Sequence, residues 1–588
     1  MITALSKWYA RVLDLRGVSK WTEFSGCRVC TQAGFRKGYA TYDQLLILQS
    51  VLNKYAYRKR GVFHRVYVGF IDFRKAYDLV IWERLWLRLQ GIGVPERVVI
   101  AIRAYYEGAA ACVKTPGGVS EKFSLSRGVK QGCPLSCTLF GLFIDAIHEG
   151  LSARMAQGDL NGRVPEFQGV PVLDLLFADD TTLLALDPET LQLLLGEVER
   201  FCADWGMEVN VGKTKVMLCR KAEDQGPVPS FCLSGQEIEG VESFKYLGVM
   251  FHCSKGLAGS FEHRMALARK ASFALSQKCV ATGIHNPATM CSLFKAIVMP
   301  VLFHGAQVAV PFWTTSQLEE AEVLFKRFLK AALGVPVNTP DYVVYGEVGQ
   351  FPISEYPVGW VVKYWNKVWS EENQSHLKYL VVRGDWEHRF HAGWRSSWVA
   401  KTMEYFVGQG VNIGSAGSRM VPNAAQQVRN LRGWFQRAWE GREVTEYSSF
   451  RRFYRQITPC WGVDRSVSVP DKKLRIVLAR FRAGCYELNS GPRHGYQRMG
   501  RGANRACPCC RRGPETMAHF FFYCPAYEQE RVRLGINRFW GTGTIQTSLV
   551  RLFQDRHSRP ETLARFIAFA WRVRDRYLQG DDFLQLWE

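Results

Sequence analysis

The chain has 588 residues, 47% of them hydrophobic, with 76 Lys plus Arg against 54 Asp plus Glu and a net charge of +22. That apolar content supports a sizeable core spread over about two to four domains, and the charge fits a polyanionic partner. Seventeen cysteines, an odd number scattered through apolar segments, argue against a secreted disulfide framework, and no apolar run reaches the length of a membrane span.

In chain order, Met1 to Leu15 mixes charges among its apolar residues and lacks a signal-peptide core, so an intracellular protein of the nucleus or cytoplasm, with no membrane partner, is expected. Residues 40–60 have helical apolar spacing, with Thr41 a candidate N-cap. Residues 66–73, V-Y-V-G-F-I-D-F, read as a strand, and 74–90 turn helical. A helix is expected over 137–156, a hairpin over 172–186 and a helix over 189–206. Short strands follow in 207–219 and 230–250. From about 258 to 335 the pattern is helical. Residues 336–470, rich in Trp, Tyr and Arg, read as mostly helical, and 545–579 close the chain with helix. Between them, residues 471–535 hold 13 Lys plus Arg against 5 Asp plus Glu.

Three carboxylates carry the first chemical signal. Asp72 ends an apolar strand, and Asp179 and Asp180 form the tip of an apolar hairpin. A hairpin turn alone explains two aspartates. Pairing of that hairpin beside the Asp72 strand would gather all three at one sheet end, where they repel unless cations join them. Mg²⁺ takes such oxygen ligands together with substrate phosphates, and two ions about 4 Å apart can activate a hydroxyl and stabilise leaving pyrophosphate. The pair Asp581-Asp582 has no apolar bracket and reads as solvated.

Several further segments occur in order: Q-A-G-F-R-K-G-Y-A-T (32–41), F-I-D-F-R-K-A-Y-D (70–78), S-R-G-V-K-Q-G-C-P-L-S-C-T-L-F (126–140), F-A-D-D (177–180), G-M-E-V-N-V-G-K-T-K (206–215) and F-K-Y-L-G-V (244–249). With them the chain resembles a non-LTR (LINE-type) retrotransposon reverse transcriptase. The resemblance implies an α+β right hand: fingers and palm over 1–250, a helical thumb over 251–335, a mostly helical region over 336–470, a basic zinc module over 471–540 and a C-terminal helix over 541–588. It also implies an RNA template, a DNA primer or target DNA, and dNTPs as partners.

By the same resemblance Asp72 and Asp179 bind Mg²⁺, supported by Asp180, and Lys213 protonates pyrophosphate. Arg36 and Lys37 meet the triphosphate. Phe73 and Tyr77 bind the nucleotide, with Tyr77 under the sugar as the gate against a 2′-hydroxyl, and Gln131 and Gly132 lie beside the base and template. Tyr246, Leu247 and Gly248 grip the primer, and Asp78 is given a local structural role.

Residues 507–524 contain Cys507, Cys510, His519 and Cys524 as C-x2-C-x8-H-x4-C, two close pairs suited to a structural tetrahedral Zn²⁺, with Cys509 able to replace one of the first pair. Arg493, Arg498, Arg501, Arg505, Arg511 and Arg512 surround them, a charge pattern suited to phosphates.

The chain departs from the family in three places. Its N-terminal extension and first fingers motif are missing, no endonuclease segment is apparent, and Cys137 stands where Pro is usual. Nicking of a target would then fall to an endonuclease in trans, and an inactive nucleic-acid-binding remnant is the alternative reading.

Overall fold

The computed structural model describes residues 3–579 except 58–64, 159, 225, 371–373, 375, 389–394, 414–418, 442–453, 455, 459–461, 486–487, 489–505, 542 and 555–559. Arg493, Arg498, Arg501, Arg505 and the Asp581-Asp582 pair lie outside the described residues. The chain forms two compact units. One comprises Met1–His263, His304–Trp313 and Trp360–Pro422, and the other Arg264–Phe303, Thr314–Gly359 and Asn423–Glu588. The stretch 336–470 is thus shared between them. Among the described residues no single helix is long and apolar enough to cross a membrane.

The first unit is built on a six-stranded sheet. Helix α1 (Thr41–Val51) precedes strand β1 (Val66–Ile71), and helix α2 (Pro134–Ile144) follows. Next come β2 (Asp174–Phe177), β3 (Asp180–Ala185) and helix α3 (Pro188–Trp205). The strands β4 (Lys215–Cys219), β5 (Phe231–Leu233) and β6 (Gln236–Gly240) complete the sheet, in the order β5–β6–β4–β1–β3–β2. Central β1 pairs antiparallel with both β3 and β4, and all six of its residues are buried.

Strand alternation divides the two faces. Tyr67, Ile71, Leu183, Ala185, Val216 and Leu218 join a core with Phe140 and Phe143 of α2 and Leu191 and Leu195 of α3. On the other face Phe70 stacks on Phe244 at 4.0 Å and 12°. Phe244 belongs to a hairpin of β7 (Ser243–Tyr246) and β8 (Val249–His252), turned by Leu247 (φ +44°) and Gly248 (φ +84°). A two-residue turn with both φ positive matches strand twist.

Several local expectations shift by a few residues. Thr41 is the first residue of α1, not its cap; the Ala40 N–H instead donates to Asp43 Oδ2 at 2.9 Å. The helix expected over 137–156 divides into α2 and a second helix, Ala146–Ala156, at Asp145. Asp145 is buried there by an ion pair with Arg28 at 2.8 Å, a tertiary contact that local periodicity does not encode.

The second unit is helical. Phe294 on Pro287–Leu302 packs on Phe325 and Phe328 of Thr315–Leu333 at 5.1 and 4.7 Å. Phe481 on Lys472–Arg482 reaches Phe520 at 5.2 Å and Trp571 of Pro560–Gln579 at 5.7 Å. These rings seat the short Cys/His segment on two helices.

Candidate active site and Cys/His cluster

Asp72 leaves the end of β1 one residue past Ile71, which pairs with Thr181. One further step in that register sets Asp72 opposite Asp180. Its backbone is fixed on both sides: its N–H donates to Thr214 Oγ1 at 3.2 Å, and its carbonyl accepts from the Asn210 N–H at 2.7 Å. Asp179 occupies the turn between β2 and β3, directly after Ala178, whose φ is +58°. A non-glycine residue in that region marks a turn held by its surroundings.

Those surroundings are the segment around Gly34. Gln32 Oε1 accepts from the Gly34 N–H at 2.7 Å and the Ala178 N–H at 3.2 Å. A Cβ on Gly34 would lie 2.3 Å from the Ala178 nitrogen, so only glycine permits this approach. Gln44 adds bonds to the Thr31 and Leu176 carbonyls at 2.6 and 2.8 Å. Sequence reasoning missed Gln32, Gly34 and Thr214 as positioning residues. The Q-A-G triplet at the head of the first motif was the available signal.

The three carboxylates share one electrostatic problem. Burial, then the charge of Asp72, raises the pKa of Asp179. Desolvation and the charges of Asp179 and Asp72 push Asp180 up to about 6. No basic side chain contributes to either shift. An all-oxygen donor set at one sheet end fits hard divalent cations.

Beside Asp72 opens a cleft of about 1140 Å³, and its walls include Phe73, Asp78, Gln131 and Lys213 together with Arg74 and Lys75. Asp78 Oδ1 accepts from Gln131 Nε2 at 3.2 Å, which ties two predicted elements across the cleft. Gly132 has φ +77° and open space around it. Lys213 is exposed. Tyr77 stacks on Phe140 at 4.3 Å and 17°, and burial followed by the Asp179 charge raises its pKa, so its hydroxyl stays protonated. Tyr246 is fully buried with its ring 5.7 Å from Phe70, while Leu247 and Gly248 form the turn beyond it.

Arg36 is the residue whose placement differs most from a free phosphate ligand. Its Nε and Nη2 donate to Glu23 at 2.9 and 2.8 Å, and its Nη1 donates to the Val29 and Gln32 carbonyls at 2.8 and 3.1 Å. Its side chain is only 8% exposed. Lys37 next to it is exposed.

In the second unit, Cys507, Cys510, His519 and Cys524 bring one ligand atom each to within 4.8 Å of one another. Cys507 and Cys524 sulfurs are 3.8 Å apart, and Cys510 Sγ lies 3.2 Å from His519 Nε2. A tetrahedral ion with Zn–S of about 2.3 Å separates its sulfurs by about 3.8 Å, so the cluster is compatible with zinc. Cys509 points its sulfur to the Tyr527 hydroxyl at 3.1 Å. Arg511 and Arg512 are exposed beside the cluster.

Residues 29–251 match the reverse transcriptase (RNA-dependent DNA polymerase) family. A Pol polyprotein from the type-1 retrotransposable element R2 of Popillia japonica is 29% identical over 323 residues, covering 53% of this chain and 43% of that protein. The RNA-directed DNA polymerase from mobile element jockey of Drosophila funebris is 24% identical over 327 residues, covering 52% and 32%. The chain thus spans less than half the length of these relatives. Among solved structures, telomerase from Candida albicans aligns with 64% of this chain and 58% of its own at 14% identity, with a TM-score of 0.29.

Proposed function

We propose that this chain, whose residues 29–251 match the reverse transcriptase family, is an RNA-directed DNA polymerase of the non-LTR (LINE) type that extends a DNA primer on an RNA template. The observation that carries the reading is the convergence of Asp72, Asp179 and Asp180 at one sheet end, where burial and neighbouring carboxylate charge raise the pKa values of Asp179 and Asp180.

Asp72 and Asp179 would hold two Mg²⁺ ions, with Asp180 beside them, and such ions activate an attacking hydroxyl and stabilise a leaving pyrophosphate. The chain's own residues do the rest. Ala178 and the Gly34 contact hold the Asp179 turn in one place, so the attacking primer end and the nucleotide meet in a fixed geometry. Tyr77, braced by Phe140, lies under the sugar and excludes a 2′-hydroxyl. Gln131 and Gly132 border the base. Lys37 and Lys213 supply positive charge to the triphosphate, and Lys213 delivers a proton to pyrophosphate. The Leu247-Gly248 turn holds the primer end. The helices of 251–335 serve as the thumb. Cys507, Cys510, His519 and Cys524 hold a structural Zn²⁺, and the neighbouring arginines contact nucleic-acid phosphates.

The test is primer extension on an RNA template with dNTPs and Mg²⁺. The expected result is extension that Asp72→Ala and Asp179→Ala both lose. Salt-sensitive RNA binding without extension would contradict the reading.

A further inference from the structure

The loop Arg36–Ala40 leads from the Gly34 turn into the first turn of α1, and a helix far along the chain holds both. That helix, α4 (Leu377–His388), lies outside the 29–251 domain. Lys378 Nζ pairs with Asp43 Oδ2 at 3.1 Å, with the two side chains 1% and 2% exposed. The same ammonium donates to the Gly38 carbonyl at 2.8 Å. Asp43 Oδ1 accepts from the Tyr364 hydroxyl at 2.9 Å. The ring of Tyr39 stacks on His376 at 4.5 Å and 29°, with the Arg36 guanidinium 4.4 Å from its centre.

A buried ion pair adds little net stability, because desolvation opposes its attraction. Its effect is to fix which residues meet, since either partner left alone is costly. Here the residues fixed are Gly38 to Asp43. Burial and the charges of Lys378 and Arg36 lower the pKa of His376 to about 4, so at neutral pH the Tyr39 stack adds no further charge. The loop so held continues through Gly34 and Gln32 to Ala178, one residue before Asp179.

We propose that Lys378 is a positioning residue for the incoming nucleotide: with Asp43 and Tyr364 it fixes the loop that presents Lys37 to the triphosphate. This rests on the polymerase reading above. Nucleotide affinity then depends on a helix outside the reverse transcriptase domain, while primer–template binding does not.

The experiment compares the full chain with Lys378→Met, with Lys378→Arg and with the double variant Asp43→Asn/Lys378→Met, which leaves no buried charge unpaired. Three quantities are read: kcat and KM for dNTP, the Kd for primer–template, and hydrogen exchange of residues 32–43. The expected result for Lys378→Met and the double variant is a dNTP KM raised about 10-fold, of the size a misplaced loop gives. Their kcat stays within about 3-fold, the primer–template Kd is unchanged and exchange in 32–43 is faster; Lys378→Arg recovers part of the KM. Unchanged KM in the double variant, or equal losses in KM, kcat and template binding, overturns the proposal. A parent chain that extends no primer overturns the polymerase reading instead. Exchange of 32–43 then decides the clamp alone, and an unaltered rate in Lys378→Met overturns it.

Discussion

The carboxylates at the sheet end and the Cys/His cluster both gather metal-ligating groups, and the chain builds them in different ways. Asp72 and Asp179 come from segments more than a hundred residues apart, fixed by strand register and backbone bonds to Thr214, Asn210 and Gln32. The four Cys/His ligands come from 18 consecutive residues, in turns and one π-helical turn, His519–Tyr523. The sheet carries its site on a buried core that exists without any ion. The small module draws its four ligands from one short segment. On the proposed reading, ions at the sheet end serve chemistry and an ion at the Cys/His module serves folding.

The largest expected effect would break the comparison at the module. Removal of zinc by a chelator withdraws an apparent binding free energy of about 10–16 kcal/mol from that segment. Hydrogen exchange of residues 506–540 is expected to lose its protection while β1 and β3 keep theirs. Equal loss in both regions would erase the distinction.

On the palm side, Gly34→Ala places a methyl 2.3 Å from the Ala178 nitrogen, a backbone atom that must then move. Primer extension is expected to fall about 10²-fold with the sheet still folded. An unchanged rate would mean that the Gly34 contact does not set the position of Asp179. Tyr77→Val removes the ring braced on Phe140, and the preference for dNTP over rNTP is expected to fall about 10-fold, read as a ratio of kcat/KM values.

The smallest effect concerns a carboxyl that serves no metal. Asp385 is fully buried, and burial pushes it up to about 8, with Ser50 Oγ its partner at 3.4 Å. Its folded pKa exceeds the unfolded value near 3.8, so the folded state binds the extra proton. Stability from this group is full below about pH 4 and is lost progressively as pH rises to about 8. Asp385→Asn is expected to raise the thermal midpoint at pH 8 and to change it little at pH 4, measured by calorimetry. The opposite slope would contradict the assignment.

Much of the palm was legible because its signals are local. The run Val66–Ile71 reads as a strand from its β-branched and aromatic residues, Asp179-Asp180 stands out between two apolar runs, and the C-x2-C-x8-H-x4-C spacing lies within one short segment. What was not legible depends on partners distant in sequence. Arg36 read as a cation for phosphate, yet Glu23 and two carbonyls occupy most of its donors. The helix break at Asp145 needs Arg28, and the loop at Asp43 needs Lys378, 335 residues away. No window of local periodicity contains such a pair.

The most direct test of the carboxylate site is one variant, Asp179→Ala, measured for primer extension and for thermal unfolding in metal-free buffer. Ionised Asp179 opposes folding through burial and the nearby Asp72 charge. The account predicts that extension falls by at least about 10³-fold while the thermal midpoint is unchanged or higher. Retained extension, or lost extension with a collapsed thermal midpoint, would contradict it.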